Sequence, residues 1–273
     1  MNIDTAVILA AGRGSRLSSL TDGGSKPLVP LFGLPLILHN ILALQEIGIE
    51  HLVVVLGYRG EEIQRVVSRD VRVTARITWV INEEWKKSNG ISLLAAAPVV
   101  SGNFLLLMAD HLFDVGILER LVEQPLPDGL ILCIDRKLAT IFDMEDATKV
   151  KVDRGRIVDI GKTIPEFDAV DTGIFACTPA IFTALSTVAQ ERGDASLSEG
   201  VKRLAIEGRA FVMDIEGAWW QDVDTPEAYR YAQWLLLQGG TSNIRSVEAT
   251  LDGSPEPLTS PCEATVFSEL GTA

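Results

Sequence analysis

The hydrophobic and polar positions of this chain change between two patterns from its first residues onward. Residues 6–10, 51–56 and 104–109 form short, almost continuous apolar runs, which are typical of strands buried on both faces. Between them, residues 35–48 and 60–70 carry apolar side chains at helical spacing. Strands that alternate with helices in this way predict an α/β fold with a mixed, mostly parallel, Rossmann-like central sheet and helices on both faces.

A different pattern begins after residue 147. Residues 148–160 alternate between apolar and polar side chains around a glycine turn, which predicts a β-hairpin. Hairpins added to a parallel sheet commonly build a lid or a second substrate subsite, so we expect a β-hairpin lid here. Residues 170–177 form another apolar run, and Gly173 interrupts it, which suggests that a ligand approaches closely.

The polar loop at residues 82–92 leads into a helix predicted at residues 93–100. Asn82 and Asn89 carry amides that both donate and accept hydrogen bonds, and Gly90 leaves backbone groups accessible. These features suit recognition of a nucleotide base. An Asn-Gly pair is also common in ordinary turns, which is the alternative interpretation.

The chain changes character near its end. Thr225 and Pro226 are suited to the start of a helix, which is predicted to run to residue 238. From residue 239 onward Gly, Ser, Thr and Pro dominate and neither period continues. We therefore expect one folded domain over residues 1–238 and a disordered tail over residues 239–273.

Composition narrows the class of protein. The 273 residues are 47% hydrophobic and 22% charged, as in globular proteins, and the formal net charge of -13 argues against binding to nucleic acid. No apolar run reaches the length of a membrane span and no signal peptide is recognisable, so we expect a cytoplasmic protein. Cys133, Cys177 and Cys262 have neither metal-ligand nor disulfide spacing and are expected to be reduced.

The turn after the first strand carries the clearest chemistry. Gly12 and Gly14 allow a ligand to approach the backbone, and Arg16 and Lys26 supply positive charge, which suits a polyphosphate. A dinucleotide fingerprint requires a small residue where Leu17 stands, and a P-loop requires its lysine in a Gly-Lys-Ser/Thr context, so neither motif fits. An ordinary glycine-rich turn is the alternative.

Acidic residues follow two of the extended segments. Asp110 comes directly after residues 104–109, and a carboxylate at the end of a buried strand is costly unless a cation neutralises it. His111 beside it is more often structural, and Mg²⁺ prefers oxygen ligands. Asp222 and Asp224 precede the last helix, and alternation directs both to the same side, so the sequence leaves open which of them is the second metal ligand.

Two lysines stand at the ends of the predicted hairpin. Lys162 follows a glycine, which makes it a better candidate than Lys149 for contact with the phosphate of a second substrate. A solvated surface lysine is the alternative.

Together these residues resemble the sugar-phosphate nucleotidyltransferase superfamily over residues 4 to about 236, and within it the inositol-1-phosphate cytidylyltransferases most closely. The strings that carry the resemblance are Gly-x-Gly-x-Arg-Leu followed nine residues later by Lys-Pro-Leu, Met-Ala-Asp110-His, Asp135-Arg, Ile-Gly-Lys162, Val-Asp-Thr-Gly173, and Trp-Gln-Asp222-Val-Asp-Thr-Pro. The resemblance implies a nucleotide-diphospho-sugar transferase fold, Mg²⁺ as cofactor, and transfer of CMP from CTP to a phosphorylated alcohol. Inositol 1-phosphate is the first choice of acceptor, with a CDP-alcohol and pyrophosphate as products.

The resemblance also implies the roles of individual residues. Arg16 and Lys26 would be catalytic, and Asp110 and Asp222 would bind Mg²⁺. The residues expected to contact the nucleotide are Leu9, Ala10, Ala11, Gly12, Gly14, Asn82, Asn89 and Gly90. Those expected to contact the acceptor are Lys162, Asp171 and Gly173. The segment 137–146 matches no part of the family pattern, which leaves the acceptor pocket undefined.

Other substrates fit the same chemistry. The alternatives are a sugar-1-phosphate uridylyl-, thymidylyl- or guanylyltransferase and a cytidylyltransferase for phosphocholine or a phosphonate. A catalytically inactive nucleotide-binding module is the alternative from another class. Members of the family are often fused to a membrane phosphotransferase that uses the CDP-alcohol, and for this chain we expect such a partner to be a separate protein.

Overall fold

A computed structural model describes residues 3–17 and 23–239, so the predicted tail and Cys262 lie outside the described residues. In spatial order, the nine strands of the central sheet are β5 (Arg76–Ile81), β4 (His51–Leu56), β1 (Thr5–Ala10), β6 (Phe104–Met108), β11 (Ala169–Cys177), β8 (Leu130–Asp135), β12 (Ala210–Asp214), β10 (Arg156–Gly161) and β9 (Lys149–Asp153). β10 and β11 run opposite to the others. The sheet is mixed and mostly parallel, which confirms the predicted class.

Two small sheets and seven helices complete the described part of the chain. β2 (Pro30–Leu31) pairs with β3 (Leu34–Pro35), and β7 (His111–Phe113) pairs with β13 (Trp220–Asp222). The α-helices are α1 (Leu36–Glu46), α2 (Gly60–Val67), α3 (Asn89–Ala96), α4 (Val115–Glu123), α5 (Ala180–Arg192), α6 (Leu197–Ile206) and α7 (Pro226–Gly239). Within residues 3–17 and 23–239, no helix combines the length and the apolar character that a membrane span requires.

Side chains alternate across β1, and this alternation divides the core into two layers. Val7 and Leu9 pack in one layer with α3, α5 and α6, whereas Ala6, Ile8 and Ala10 pack in the other with α1, α2 and α4. Every residue of β1 is buried. The predicted helices on both faces of the sheet are confirmed.

The predicted hairpin forms, but it does not stand over the sheet as a lid. β9 and β10 pair with each other around a turn at residues 154–155, β9 also pairs with β11, and β10 also pairs with β12. The hairpin therefore belongs to the central sheet, and β9 closes back onto β11. Pairing with neighbouring strands satisfies backbone groups that an isolated two-stranded hairpin would leave to water, and such a hairpin is only marginally stable.

The helix after the polar loop begins earlier than predicted. We predicted a helix at residues 93–100, whereas α3 spans Asn89–Ala96 and a 3₁₀ turn follows at Ala97–Val99. Ser88 precedes the helix with an extended backbone, as a capping residue does. Pro98 has no N–H to donate, so the α-helical hydrogen-bond pattern ends before it. Asn89 and its neighbour thus belong to the first turn of a helix rather than to an open loop.

Candidate active site

The glycine loop and Asp110 meet because their strands are neighbours in the sheet. β1 and β6 are parallel, with Leu9 opposite Met108, so both strands end at the same edge. Gly12 follows β1 at this edge, and Asp110 follows β6. Ligands of parallel α/β sheets bind at the carboxyl ends of the strands. The turn predicted to bind a polyphosphate and the acid predicted to bind a metal therefore share one site.

Asp222 reaches the same place through the small sheet of β7 and β13. These strands are antiparallel, and Asp222 is the register partner of His111. The N–H of Val223 then donates to the carbonyl oxygen of Asp110 at 3.0 Å. Thr225 caps α7 directly afterwards, as predicted, and its Oγ1 accepts a backbone hydrogen bond of 3.1 Å. Backbone pairing thus joins two acidic residues that are far apart along the chain.

Lys26 lies at the centre of the acidic cluster. Its side chain is buried, and its Nζ lies 2.5 Å from Asp110 Oδ2 and 3.6 Å from Asp222 Oδ1. It also contacts Asp224 Oδ1. Gly14 makes room for the stem of this lysine, because a Cβ at Gly14 would stand 2.3 Å from Lys26 Cβ. The glycine loop positions a cation among three carboxylates.

Burial and charge shift the acidity of the groups around Lys26. Burial alone would raise the pKa of Asp110, but Lys26 and His111 outweigh it and hold the pKa of that carboxyl below its usual range. Burial prevails at Asp222 and raises its pKa, although His111 opposes the shift. Burial alone would lower the pKa of His111, yet Asp222 and Asp110 raise it. The cluster holds more negative charge than Lys26 alone can balance.

The acidic cluster fits a divalent cation. Among the described residues, Asp222 Oδ1 is buried and has no hydrogen-bond partner. Asp110, His111 and Asp222 each offer one ligand atom, and these three atoms lie within 4.8 Å of one another. Lys26 Nζ, at 3.6 Å, is too far from Asp222 Oδ1 for a hydrogen bond, so this oxygen is available to a divalent cation, and carboxylate oxygens suit Mg²⁺. Asp224 contacts Lys26 and Arg16 through its two oxygens, so Asp222 is the better candidate for the second ligand.

Arg16 lies on the outer side of this cluster. Its Nη1 donates to Asp146 Oδ2 at 2.7 Å, and its Nη2 contacts Asp224 Oδ2. Half of the Arg16 side chain is exposed to solvent, at 50%. Asp224 therefore links the buried cation Lys26 to an exposed one, and both face the edge of the sheet where the glycine loop lies.

A cavity of about 530 Å³ opens beside the acidic cluster. The residues of the sequence-based prediction that line it are Leu9, Ala11, Gly12, Asn89, Asp110, Lys162, Asp171, Gly173 and Asp222. Those outside its described lining are Ala10, Gly14, Arg16, Lys26, Asn82 and Gly90. Arg16 and Lys26 still adjoin it, because each contacts Asp224, which is part of the lining. The cavity brings the metal-ligand candidates and the acceptor candidates together.

The residues predicted to recognise the base have partners within the protein. Asn82 is buried, its Nδ2 donates to Ser92 Oγ at 2.9 Å, and its Oδ1 accepts from the backbone. Asn89 Oδ1 accepts from the N–H of Leu197 at 2.8 Å. A Cβ at Gly90 would stand 2.4 Å from the carbonyl oxygen of Ala195. The contacts of Asn89 and Gly90 join α3 to the start of α6, and contact with a base remains a prediction.

The three residues predicted to contact the acceptor lie along the cavity wall. Lys162 Nζ contacts Asp146, and the Lys162 side chain is 57% exposed. The N–H of Gly173 donates to Asp171 Oδ1 at 2.7 Å. The close neighbour at Gly173 is the ring of His111, since a Cβ there would stand 2.6 Å from His111 Cδ2. The glycine in this strand thus accommodates a side chain of the protein.

Replacement of Gly173 by alanine is expected to disturb His111. The new methyl group would clash with the imidazole, and Gly173 has a left-handed φ of 74°. We expect a loss of about 2 to 4 kcal/mol in the free energy of unfolding, from the backbone strain and the clash together. Urea denaturation measures it. Gly155→Ala is the control, because Gly155 has a similar φ of 78° and no atom within 4 Å of its Cβ position. Equal losses in the two variants would contradict the packing role.

Asp171 is expected to make stability depend on pH. Burial raises its pKa to about 6, although the N–H of Gly173 and His111 oppose the shift. The carboxyl is therefore protonated in the folded chain and ionised in the unfolded chain between about pH 4 and 6, so stability falls as the pH rises through this window. We expect Asp171→Asn to remove this loss, which makes the variant more stable than the wild type by about 2 to 3 kcal/mol above pH 6.5. Denaturation at pH 4 and pH 7.5 tests the difference, and a pH-independent difference would contradict it.

Sequence reasoning missed Asp146. This residue lies in the segment 137–146, which matched no family string, yet its carboxylate contacts both Arg16 and Lys162. Its contact with Arg16 spans 130 positions along the chain. No local spacing marks such a contact, and a lone aspartate in a polar segment is usually a solvated surface residue.

Comparison with known proteins identifies the family. The MobA-like NTP transferase domain matches residues 6–149, which is more than half of the chain. The chain belongs to this family. The Aquifex aeolicus protein named bifunctional IPC transferase and DIPP synthase is 34% identical over 242 residues, which cover 89% of this chain and 54% of that protein. The chain thus spans about half the length of this relative.

In two further comparisons, the matched region covers almost the whole length of the similar protein. The UTP–glucose-1-phosphate uridylyltransferase AglF of Haloferax volcanii is 31% identical over 246 residues, which cover 86% of this chain and 98% of that protein. The solved structure of the inositol-1-phosphate CTP transferase from T. maritima matches with a TM-score of 0.75 and 27% identity, covering 88% of this chain and 98% of that one. The NTP transferase family and the nucleotide-diphospho-sugar transferase fold both agree with the resemblance drawn from the sequence.

Proposed function

We propose that this NTP transferase transfers CMP from CTP to a phosphorylated alcohol, with inositol 1-phosphate as the first choice, and releases pyrophosphate. The observation that carries the proposal is the convergence of Lys26, Asp110 and Asp222 beside the glycine loop. The choice of CTP and inositol 1-phosphate is supported by the similarity to the T. maritima protein, which is named an inositol-1-phosphate CTP transferase.

The proposed reaction exchanges one phosphorus–oxygen bond for another. An oxygen of the acceptor phosphate attacks the α-phosphorus of CTP, and the bond to pyrophosphate breaks. Nucleophile and leaving group are both already anionic, so the protein needs no general base and no covalent residue. It has to hold two anions together and offset the charge that builds up at phosphorus.

Different residues of the site would hold the two anions and offset the charge at phosphorus. Lys26 and Arg16 would bind the triphosphate, and Lys162, across the cavity, would bind the acceptor phosphate. Asp110 and Asp222 would hold Mg²⁺, with His111 beside them. When bound there, Mg²⁺ would supply further positive charge to the phosphates and help to orient them. The nucleoside would lie in the part of the cavity that is lined by Leu9, Ala11, Gly12 and Asn89.

A panel of nucleotides and acceptors tests this proposal. Pyrophosphate release is measured with CTP, UTP, dTTP and GTP, each against inositol 1-phosphate, glucose 1-phosphate, mannose 1-phosphate and phosphocholine, with Mg²⁺ present. We expect the highest kcat/KM for CTP with inositol 1-phosphate. Release with no pair, despite nucleotide binding, would overturn the proposal in favour of an inactive binding module.

A sugar-1-phosphate nucleotidyltransferase is the second candidate. The observation in its favour is the similarity to the Haloferax volcanii uridylyltransferase over nearly the whole of that protein. This candidate predicts the highest kcat/KM for UTP with glucose 1-phosphate in the same panel. Under the first candidate, a cytoplasmic location and a membrane phosphotransferase that consumes the CDP-alcohol complete the proposal.

A further inference from the structure

A row of alternating charges lies beside the cavity, and its members Asp224, Asp146 and Lys162 line it. It runs from Lys26 through Asp224, Arg16 and Asp146 to Lys162, and each neighbouring pair is in contact. One end is the buried cation proposed to bind the triphosphate, and the other is the cation proposed to bind the acceptor phosphate. The row therefore connects two proposed phosphate subsites.

Asp146 is the central anion between the two exposed cations of this row. Its Oδ2 accepts from Arg16 Nη1 at 2.7 Å, and its Oδ1 contacts Lys162 Nζ. Arg16 and Lys162 are 50% and 57% exposed, whereas Asp146 is 33% exposed. Lys162 and Arg16 both lower the pKa of Asp146, so it is ionised at neutral pH. One carboxylate thus occupies the two cations from which phosphates would gain binding energy.

Hydrogen bonds and a ring contact hold the segment around Asp146 in place. The N–H of Asp146 donates to Asp143 Oδ1 at 3.2 Å, and Lys149 Nζ donates to the carbonyl oxygen of Glu145 at 2.9 Å. Phe142 stacks on Tyr231 of α7 with 5.1 Å between ring centroids. The last two contacts attach the segment to β9 and to α7.

We propose that Asp146 is a specificity-determining residue that occupies Arg16 and Lys162 until substrate phosphates displace it. This proposal rests on the proposed function, which assigns phosphates to both cations. A carboxylate carries one negative charge, whereas a phosphate monoester carries nearly two at neutral pH and a triphosphate carries more. Arginine also binds phosphate through two parallel hydrogen bonds. Phosphates would therefore displace Asp146, whereas singly charged anions would compete poorly with it.

The proposal predicts that phosphates bind more tightly when the negative charge of Asp146 is removed. In Asp146→Asn, Lys162 loses its paired carboxylate and Arg16 keeps only Asp224, so phosphates no longer have to displace Asp146. Exposed ion pairs are individually weak, so we expect inorganic tripolyphosphate to bind roughly 2- to 10-fold more tightly to the variant than to the wild type. In turnover assays, KM for CTP and for the acceptor should fall together, with kcat unchanged.

The decisive experiment is titration calorimetry with inorganic tripolyphosphate in the presence of Mg²⁺. Asp143→Asn is the matched control: it removes the same charge from the same segment, and an asparagine Oδ1 still accepts from the N–H of residue 146. We expect less than a 2-fold change in Asp143→Asn. Asp146→Ala is a second variant and should also bind more tightly. Equal or weaker binding by the Asp146 variants would overturn the proposal.

A background without the two cations separates direct contact from a general effect of charge. In the Arg16→Ala/Lys162→Ala background, the gain in tripolyphosphate affinity from Asp146→Asn should disappear. A gain that persists there would overturn the proposal, because it would act through neither cation. If wild-type protein turns over no nucleotide, the proposed function fails. The tripolyphosphate titrations then still test whether Asp146 competes for Arg16 and Lys162. If turnover is intact and Asp146→Asn has wild-type affinity, the Asp146 proposal alone fails.

Discussion

Replacement of Asp110 by asparagine is expected to reduce pyrophosphate release about 10²- to 10³-fold, which corresponds to about 3 to 4 kcal/mol in the activation barrier. The variant keeps the size and shape of the side chain but loses the charge that faces Lys26 and His111. Under the proposed function it also loses a ligand of the divalent cation. The measurement is kcat/KM for pyrophosphate release, followed across a range of Mg²⁺ concentrations, and the variant should need more Mg²⁺.

The control for Asp110→Asn is the same substitution outside the site. Asp153 lies at the hairpin turn, is 72% exposed and is not part of the described cavity lining. Asp153→Asn should keep wild-type activity and Mg²⁺ dependence. Wild-type activity in Asp110→Asn itself would contradict the assignment of this residue.

Replacement of Lys26 by methionine is expected to affect both activity and stability. The variant leaves Asp110, Asp222 and Asp224 without the cation that now lies among them. These carboxylates are partly exposed, so we expect a loss of about 2 to 3 kcal/mol in the free energy of unfolding without divalent cations, rather than the full cost of a completely buried pair. Pyrophosphate release should fall at least about 10²-fold, because the triphosphate loses its buried cationic contact.

Mg²⁺ should partly restore the stability of Lys26→Met. A cation that binds the folded chain and not the unfolded chain stabilises it, and in this variant it no longer competes with the Lys26 ammonium for Asp110 and Asp222. Thermal unfolding with increasing Mg²⁺ should therefore raise the midpoint more in the variant than in the wild type. Lys202→Met is the control, because Lys202 pairs with Asp159 away from the acidic cluster. An identical response to Mg²⁺ in Lys26→Met and the wild type would count against a metal site at these carboxylates.

Most strands of the central sheet and most helices were predictable because each has a local signature. The apolar run His51–Leu56 and the amphipathic stretch that became α2 carry their period within a few residues. The hairpin was predictable for the same reason. Its place in the sheet was not, because pairing of β9 with β11 depends on contacts between distant parts of the chain. The start of α3 was missed because Asn89-Gly90 has the local signature of a turn.

The candidate site was partly predictable from the positions of residues at strand ends. The position of Asp110 after β6 and of the glycine loop after β1 follows from the rule that ligands bind at the carboxyl ends of parallel strands. The rule does not say that Asp222 pairs in register with His111, and this pairing brings Asp222 into the site. Asp146 carries no local signal at all, since its role depends on which cations the fold brings beside it.

The central claim is that Asp110 and Asp222 together bind a divalent cation opposite Lys26. A crystal structure of the protein with CTP and Mn²⁺ tests this most directly, because Mn²⁺ replaces Mg²⁺ and its anomalous scattering locates the ion. We predict a peak bonded to carboxylate oxygens of both Asp110 and Asp222, at about 2.0 to 2.3 Å. A peak bonded to neither residue, in crystals whose nucleotide is bound beside the glycine loop, would contradict the account.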